Sequence, residues 1–262
     1  MTTVLNDDSD GLPSGIDKTV VKALALFERL VELGRPAGVT ELALAAGLQK
    51  SNVHRTLSAL RFMGYVRSGP DGLYEPTLHL WELGQHIHSR IDIVYTARPF
   101  LRKLVQETDE TGHLAILDGA EIVYVDKVES ANPVRVYTVL GGRAPAYCTA
   151  SGKALLSGQS SSALMAIASR AKKITSSTLT KIDELQRAIS QVRERGYATN
   201  IGEFHDNVAG LAAPVMNRRG DIVASVGISG PLDRLKPSRM RQLAPLVMGA
   251  AKGISGAIGA SA

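Results

Sequence analysis

The first sustained apolar rhythm in the chain falls on Ile16, Val20, Leu24, Phe27 and Val31, filled in by Ala23 and Leu30. Recurrence every three to four residues predicts a helix. Gly34-Arg35-Pro36 should stop it, because glycine and proline both break helices. A second, short helix is expected over Thr40–Gly47. There Thr40 would act as N-cap, Glu41 would suit the positive helix start, and Gly47 would end the turn. A third helix should run from about Gln49 to Met63, burying Val53, Leu57 and Leu60 and ending at Gly64. Tyr65-Val66-Arg67 and Leu73-Tyr74-Glu75 then read as two strands, joined by the turn-rich Ser68-Gly69-Pro70-Asp71-Gly72.

Helix, short helix, tight turn, helix and hairpin is the order of a winged helix-turn-helix. On its third helix the residues facing away from the apolar stripe are Lys50, Ser51, Asn52, His54, Arg55, Ser58 and Arg61. Such side chains suit a major groove: Ser and Asn reach phosphates or base edges, and Arg binds guanine bidentately or pairs with a phosphate. Thr40 and Arg67 complete the candidate DNA-contact set. Charge supports the placement. The stretch Arg35–Arg67 carries a net +4, whereas the preceding residues 1–34 carry −3.

Downstream, Leu78 to about Ser89 and Ile93 to Thr108 have helical patterns; Trp81, the single tryptophan, is expected in a packing role. From His113 the pattern changes to strands. These are His113–Leu117 and Glu121–Val128 around the turn Asp118-Gly119-Ala120, then Val134–Val139. Thr149–Leu156 reads as a capped helix start. Helices at about Ser160–Ser169 and Lys181–Arg195 lead to strands Tyr197–Asn200, Gly210–Met216 and Ile222–Ser229. A last helix begins near Pro237, with a glycine-rich end expected to fray.

Composition narrows the class. Over 262 residues, 44% hydrophobic and 21% charged, the chain has the balance of a soluble globular protein. No apolar run approaches the ~20 residues of a membrane span. The polar, acidic start is not a secretory signal, so the expected location is the cytoplasm. The overall +5 charge permits a polyanionic partner, while the basic residues near the C-terminus read as solvated surface.

The α/β half holds fragments of catalytic patterns but completes none of them. Thr149-Ala-Ser-Gly-Lys153 resembles the end of a phosphate loop, but Tyr147 stands where its glycine belongs. Ser169-x-x-Lys172 is short enough to arise by chance, and Cys148 could pair with His113 or His205 only if folding joins them. His79, His86 and His88 lack a carboxylate to complete a metal site, and no dinucleotide fingerprint occurs. The expectation is therefore no enzyme, no cofactor and no metal. The helix start at Thr149 can instead bind an anion through main-chain N–H groups.

Taken together, Gln49-Lys-Ser-Asn-Val-His-Arg-Thr-Leu57, Gly64-Tyr-Val-Arg67 and Tyr74 resemble the DNA-reading segment of the IclR family of bacterial transcriptional regulators. Gly141-Gly142 with Pro145, Ser151-Gly-Lys-Ala-Leu155, Arg195-Gly-Tyr197, Glu203, Gly210-Leu-Ala-Ala-Pro214 and Ile228-Ser-Gly-Pro231 follow in the family's order, across about residues 17–258. The resemblance implies an α+β chain: a flexible tail over 1–16, a winged helix-turn-helix over 17–76, a linker helix over 77–91, and a GAF-like effector domain with a mainly antiparallel sheet over 92–262. It also implies double-stranded operator DNA as partner, a homodimer that pairs into a dimer of dimers, and a small organic acid as effector.

Carried over position by position, the carboxylate-binding helix start falls on Ala150 and Ser151, and its polar partner on Asn200. The wall falls on Ala144, Val208 and Gly210, and the floor on Gly227 and Ser229. Some family members have Asp, Cys and Ser at the positions of Asn200, Gly210 and Gly227. The small residues Ala144, Gly210 and Gly227 suggest a roomier pocket and a larger effector, an aromatic or cyclic carboxylate, and the loss of acceptor groups there suggests a less hydroxylated one. In the wing, Leu73 and Glu75 stand where many relatives have basic residues. A constitutive DNA binder without effector, or an enzyme fused to a DNA-binding domain, are the competing classes.

Overall fold

The computed structural model describes residues 15–88 and 93–260. The chain divides into two compact units, Met1–Ile91 and Asp92–Ala262. The expected tail over 1–16 lies almost wholly outside the described residues, as does the end of the expected linker.

The first unit opens with α1 (Lys18–Leu33), capped by Asp17, whose Oδ1 accepts the Thr19 N–H at 2.8 Å. Gly34 ends it in the left-handed region at φ +62°. The buried side of α1 is Leu26, Phe27 and Leu30, while Ile16, Val20, Leu24 and Val31 are exposed. The helix thus carries a second apolar stripe that its own unit does not cover. α2 (Val39–Ala46) starts two residues earlier than a Thr40 cap would place it: Gly38 is its N-cap, and Thr40 sits exposed inside the first turn without a capping role. Gly47, at φ +65°, closes α2 and turns the chain into α3 (Lys50–Phe62). The hairpin β1 (Val66–Ser68) and β2 (Tyr74–Pro76) pairs Arg67 with Glu75. Ala37 exchanges two main-chain hydrogen bonds of 2.9 Å with Tyr74, which ties the wing to the segment before α2. The core of this unit gathers Leu26, Leu30, Leu42, Val53 and Leu57. α4 (His79–His88) follows. Trp81 there is 62% exposed, so it does not pack into the unit.

The second unit begins with α5 (Ile93–Thr108) and builds a six-stranded antiparallel sheet in the order β5-β4-β3-β8-β7-β6. The strands are β3 (Thr111–Asp118), β4 (Glu121–Val128), β5 (Arg143–Pro145), β6 (Ala198–Ile201), β7 (Val208–Met216) and β8 (Ile222–Pro231). Its remaining helices are α6 (Ala150–Leu156), α7 (Ser161–Ala168), α8 (Ile182–Arg195) and α9 (Pro237–Ala260).

Two expectations fail here. Val134–Val139 is not a strand; it is a loop whose Val134, Tyr137 and Val139 side chains are exposed. The strand that follows β4 is instead β5, which pairs with it through Ile122 and Ala144. The glycine-rich end of α9 does not break the helix, which continues to Ala260. At Gly253 a Cβ would stand 2.4 Å from the Phe100 ring, so this glycine lets α9 approach α5.

Strand alternation then sets up the site. At Gly112 a Cβ would meet Val105 and Leu101 of α5 within 3 Å, so this position faces α5. Its neighbour His113 must face the other side of the sheet, where α6 lies.

Candidate functional site

On α3, Lys50, Ser51, Asn52, His54 and Arg55 are exposed, while Val53 and Leu57 are fully buried beneath them. Ser58 differs: it is half-buried and its hydroxyl donates to the His54 carbonyl at 2.9 Å. Arg61 reaches from the same helix to the Ser68 hydroxyl at 3.2 Å. Arg67 is bound across the wing to Glu75 at 2.8 Å, so its charge is locally neutralised. The free polar face of the helix is therefore its N-terminal half.

In the second unit a cavity of about 290 Å³ opens between the sheet and the start of α6. Its lining includes His113, Tyr124, Thr149, Ala150, Ser151, Asn200, Phe204, Val208, Gly210 and Ser229. Six of the eight expected effector positions thus converge on one hollow. Ala144 and Gly227 do not line it. Ala144 is buried in the core with Ile122 and Tyr147, because β5 turns it inward. At Gly227 a Cβ would fall 2.6 Å from the Leu211 carbonyl and 2.7 Å from the Ala212 Cβ. That glycine serves strand packing, and its missing side chain adds no room to the cavity. Gly210 does leave room, since a Cβ there would touch the Ala150 Cβ at 3.4 Å.

The start of α6 is held by local chemistry. The Thr149 hydroxyl accepts the Gly152 N–H at 3.0 Å, and the Thr149 carbonyl takes that of Lys153. The N–H groups of Ala150 and Ser151 belong to the first turn, which has no intrahelical acceptor. Gly152 is obligatory: a Cβ would stand 2.1 Å from the Ala146 carbonyl oxygen. One turn of the same helix carries Lys153, whose ammonium bonds both Glu203 oxygens at 2.5 and 2.7 Å. Burial pushes Lys153 below its ordinary 10.5, and Glu203 opposes that shift. The Glu203 N–H in turn donates to Asn200 Oδ1 at 2.9 Å. Motif residues Lys153, Glu203 and Asn200 therefore form one hydrogen-bonded chain that reaches the cavity at Asn200.

His113, on β3, was not among the expected site residues. Its Nε2 lies 3.1 Å from the Ser151 hydroxyl, and its ring meets Tyr124 edge-on at 5.2 Å. Desolvation holds the imidazole at about 4, so it is neutral at physiological pH. Burial likewise raises the Tyr124 phenol to about 12. The signal that could have found His113 is a polar residue in the middle of an otherwise apolar strand, Thr111–Asp118.

None of the catalytic patterns assembles. Burial raises the Cys148 thiol to about 12, and its Sγ donates to the Pro145 carbonyl rather than to a histidine. The Ser169 hydroxyl is spent on the Ala166 carbonyl. Among the described residues there is no cluster of three or more His, Cys, Asp or Glu that could hold a metal, and no helix long and apolar enough to cross a membrane. The side chains of His86 and His88 lie outside the described residues.

Comparison with known proteins places this architecture. The profile "IclR helix-turn-helix domain" matches residues 19–70, and "Bacterial transcriptional regulator IclR C-terminal" matches residues 85–256. The chain is 34% identical to the HTH-type transcriptional regulator KdgR of Escherichia coli, over 97% of each chain. It is 33% identical to the HTH-type transcriptional regulator KipR of Bacillus subtilis, over 93% of this chain and 98% of that one. Among solved structures, IclR of Thermotoga maritima superposes with a TM-score of 0.79 at 29% identity, covering 92% of this chain and 98% of the other.

Proposed function

The chain belongs to the IclR family of bacterial transcriptional regulators, and from that premise we propose that it is a ligand-responsive DNA-binding regulator of catabolic genes, sensing a small organic acid of the aromatic carboxylate class. It acts in the cytoplasm without catalysis. The observation that carries this reading is the pairing in one chain of an exposed, basic-polar recognition helix with a separate cavity of small-ligand size.

Lys50, Ser51, Asn52, His54 and Arg55 are the direct DNA contacts in this reading, with Thr40, Ser58, Arg61 and Arg67 as flanking ones. In the cavity the acid's carboxylate sits against the Ala150 and Ser151 N–H groups. The Tyr124 and Phe204 rings in the lining support an aromatic body. Ala144 and Gly227 act behind the wall rather than on the ligand.

The exposed stripe Ile16, Val20, Leu24 and Val31 supports a homodimer formed through the DNA-binding half, which pairs further into a dimer of dimers. The acid binds one arrangement of the assembly better and so shifts the spacing of its recognition helices.

A thermal-shift screen of the purified protein against aliphatic and aromatic carboxylic acids tests the reading, since a ligand that binds only the folded state raises the Tm by mass action. Stabilisation by an aromatic acid, accompanied by altered operator affinity in a gel shift, is the expected result. No shift with any acid at millimolar concentration overturns it.

A further inference from the structure

The stretch Val134–Val139, which has the alternation of a strand, lies outside the sheet and forms part of the cavity wall. Val136, Tyr137, Thr138 and Val139 line the cavity, as does Gly142 just beyond. Tyr137 and Val139 are at the same time 77% and 53% exposed, so the wall is one residue thick here. The other exposed lining residues are Arg143 and His205.

The ends of this stretch are anchored to the body of the unit. The Val134 carbonyl accepts from Arg234 at 3.1 Å, and that guanidinium grips the buried Glu110 carboxylate at 2.5 and 2.7 Å. Beyond the other end, the Gly141 N–H donates to the Tyr124 carbonyl at 2.8 Å and the Tyr124 N–H to the Gly142 carbonyl at 3.0 Å.

Between the anchors the hold is of a different kind. Among the described residues, the one hydrogen bond that the rest of the unit makes to this main chain comes from the Lys127 ammonium, to the Thr138 carbonyl at 2.7 Å. The same ammonium bonds Glu129 at 2.8 Å and stands 5.0 Å from the centre of the Tyr137 ring. Glu129 is tied in turn to Arg135 at 3.1 Å. Register pairs Lys127 on β4 with His113 on β3, so both side chains rise from the cavity face of the sheet.

We propose that the stretch between Val134 and Gly141 is a gate over the effector cavity and that Lys127 is the latch that positions it. This rests on the reading of the cavity as an acid site. With no ladder bonds of its own, the stretch swings between its anchors without breaking the sheet. Lys127 holds a carboxylate, a carbonyl and a ring through one ammonium, so its removal releases all of them together. Lys127 is not itself among the lining residues, and the helix start at Ala150 and Ser151 stays intact when the gate opens. The latch therefore sets how fast the effector enters and leaves, and contributes little to how tightly it is held.

The test uses 4-fluorobenzoate as probe on the full chain, with Kd and the off-rate read from fluorine NMR titration and line shape. K127M should raise the on-rate and the off-rate together by about tenfold, with Kd within about threefold and Tm nearly unchanged. K127R, which keeps a cation for the carbonyl and the ring, should bring both rates back towards wild type. Amide hydrogen exchange without ligand should quicken in K127M at Thr138 and Gly142 and stay unaltered in β3 and α6. Unchanged rates in K127M, or a Kd that weakens by the whole change in off-rate, overturn the gate and leave the acid-sensing reading intact. If the wild type binds no acid, the acid-sensing reading falls. Exchange then decides the latch alone: faster at Thr138 and Gly142 in K127M supports it, and unchanged overturns it.

Discussion

On α3, Lys50, Ser51, Asn52, His54 and Arg55 stand in solvent, whereas in the second unit His113, Ser151, Asn200 and Ser229 are all buried. The first set hydrates freely and waits for a polyanion, so each side chain costs little when unpaired and is replaceable without harm to the fold. The second set has left water and must be satisfied by neighbours or by a ligand. The same contrast holds for ion pairs. Arg67–Glu75 lies on the wing, with the arginine side chain 72% exposed, while in Lys153–Glu203 the two side chains are 4% and 10% exposed. Function and stability are therefore separable in the first unit and entangled in the second.

Breaking the buried pair should have the largest effect. Glu203→Ala strands the buried Lys153 ammonium while keeping the main-chain N–H that Asn200 accepts; a loss of about 3–5 kcal/mol is expected in urea unfolding. If the variant unfolds like wild type, the contrast between the two pairs fails.

The His113 imidazole gives the next effect, through pH. Its folded value of about 4 lies below the ordinary 6.5, so between those values the unfolded chain binds a proton that the folded chain excludes. Stability therefore rises with pH across this window, is complete above about pH 6.5, and falls by about 3 kcal/mol towards pH 4. Unfolding at pH 4.5 and 7 should show a smaller pH difference in H113Q than in wild type. Equal differences would mean that the imidazole is not excluded from water.

On the exposed face the effect should appear in binding instead. Asn52→Ala or Arg55→Ala should weaken specific operator binding by about 1–3 kcal/mol in a gel shift, with Tm unchanged within a degree or so. Unaltered affinity would place the reading residues elsewhere. The smallest change is expected from Glu75→Ala on the wing, below about 0.5 kcal/mol in stability. It should also free Arg67, and a modest gain in DNA affinity that vanishes at high salt would show it.

How far the sequence could be read follows from the same division. The first unit's functional face is one continuous helix, so residue spacing alone separated Val53 and Leu57 from Asn52 and Arg55. Its error at Thr40 was one of helix phase, since glycine at position 38 caps α2 with no side-chain signature. Five of the six strands of the second unit were also legible; the short β5 (Arg143–Pro145) was missed, and Val134–Val139, whose alternating apolar residues mimic a strand, is a loop.

The cavity was legible only as positions carried over from a family resemblance. It draws on β3, β4, α6, β6, β7 and β8, which lie up to about a hundred residues apart in the chain. Local periodicity reports which residues share a face of one element, and so it determined the elements, the winged helix-turn-helix and the recognition face. Which faces meet is decided by strand order and register. Tertiary structure alone turned Gly112 towards α5 and His113 towards Ser151, drew Ala144 and Gly227 away from the ligand space, and buried Lys153 against Glu203, because each of these depends on a partner distant in sequence.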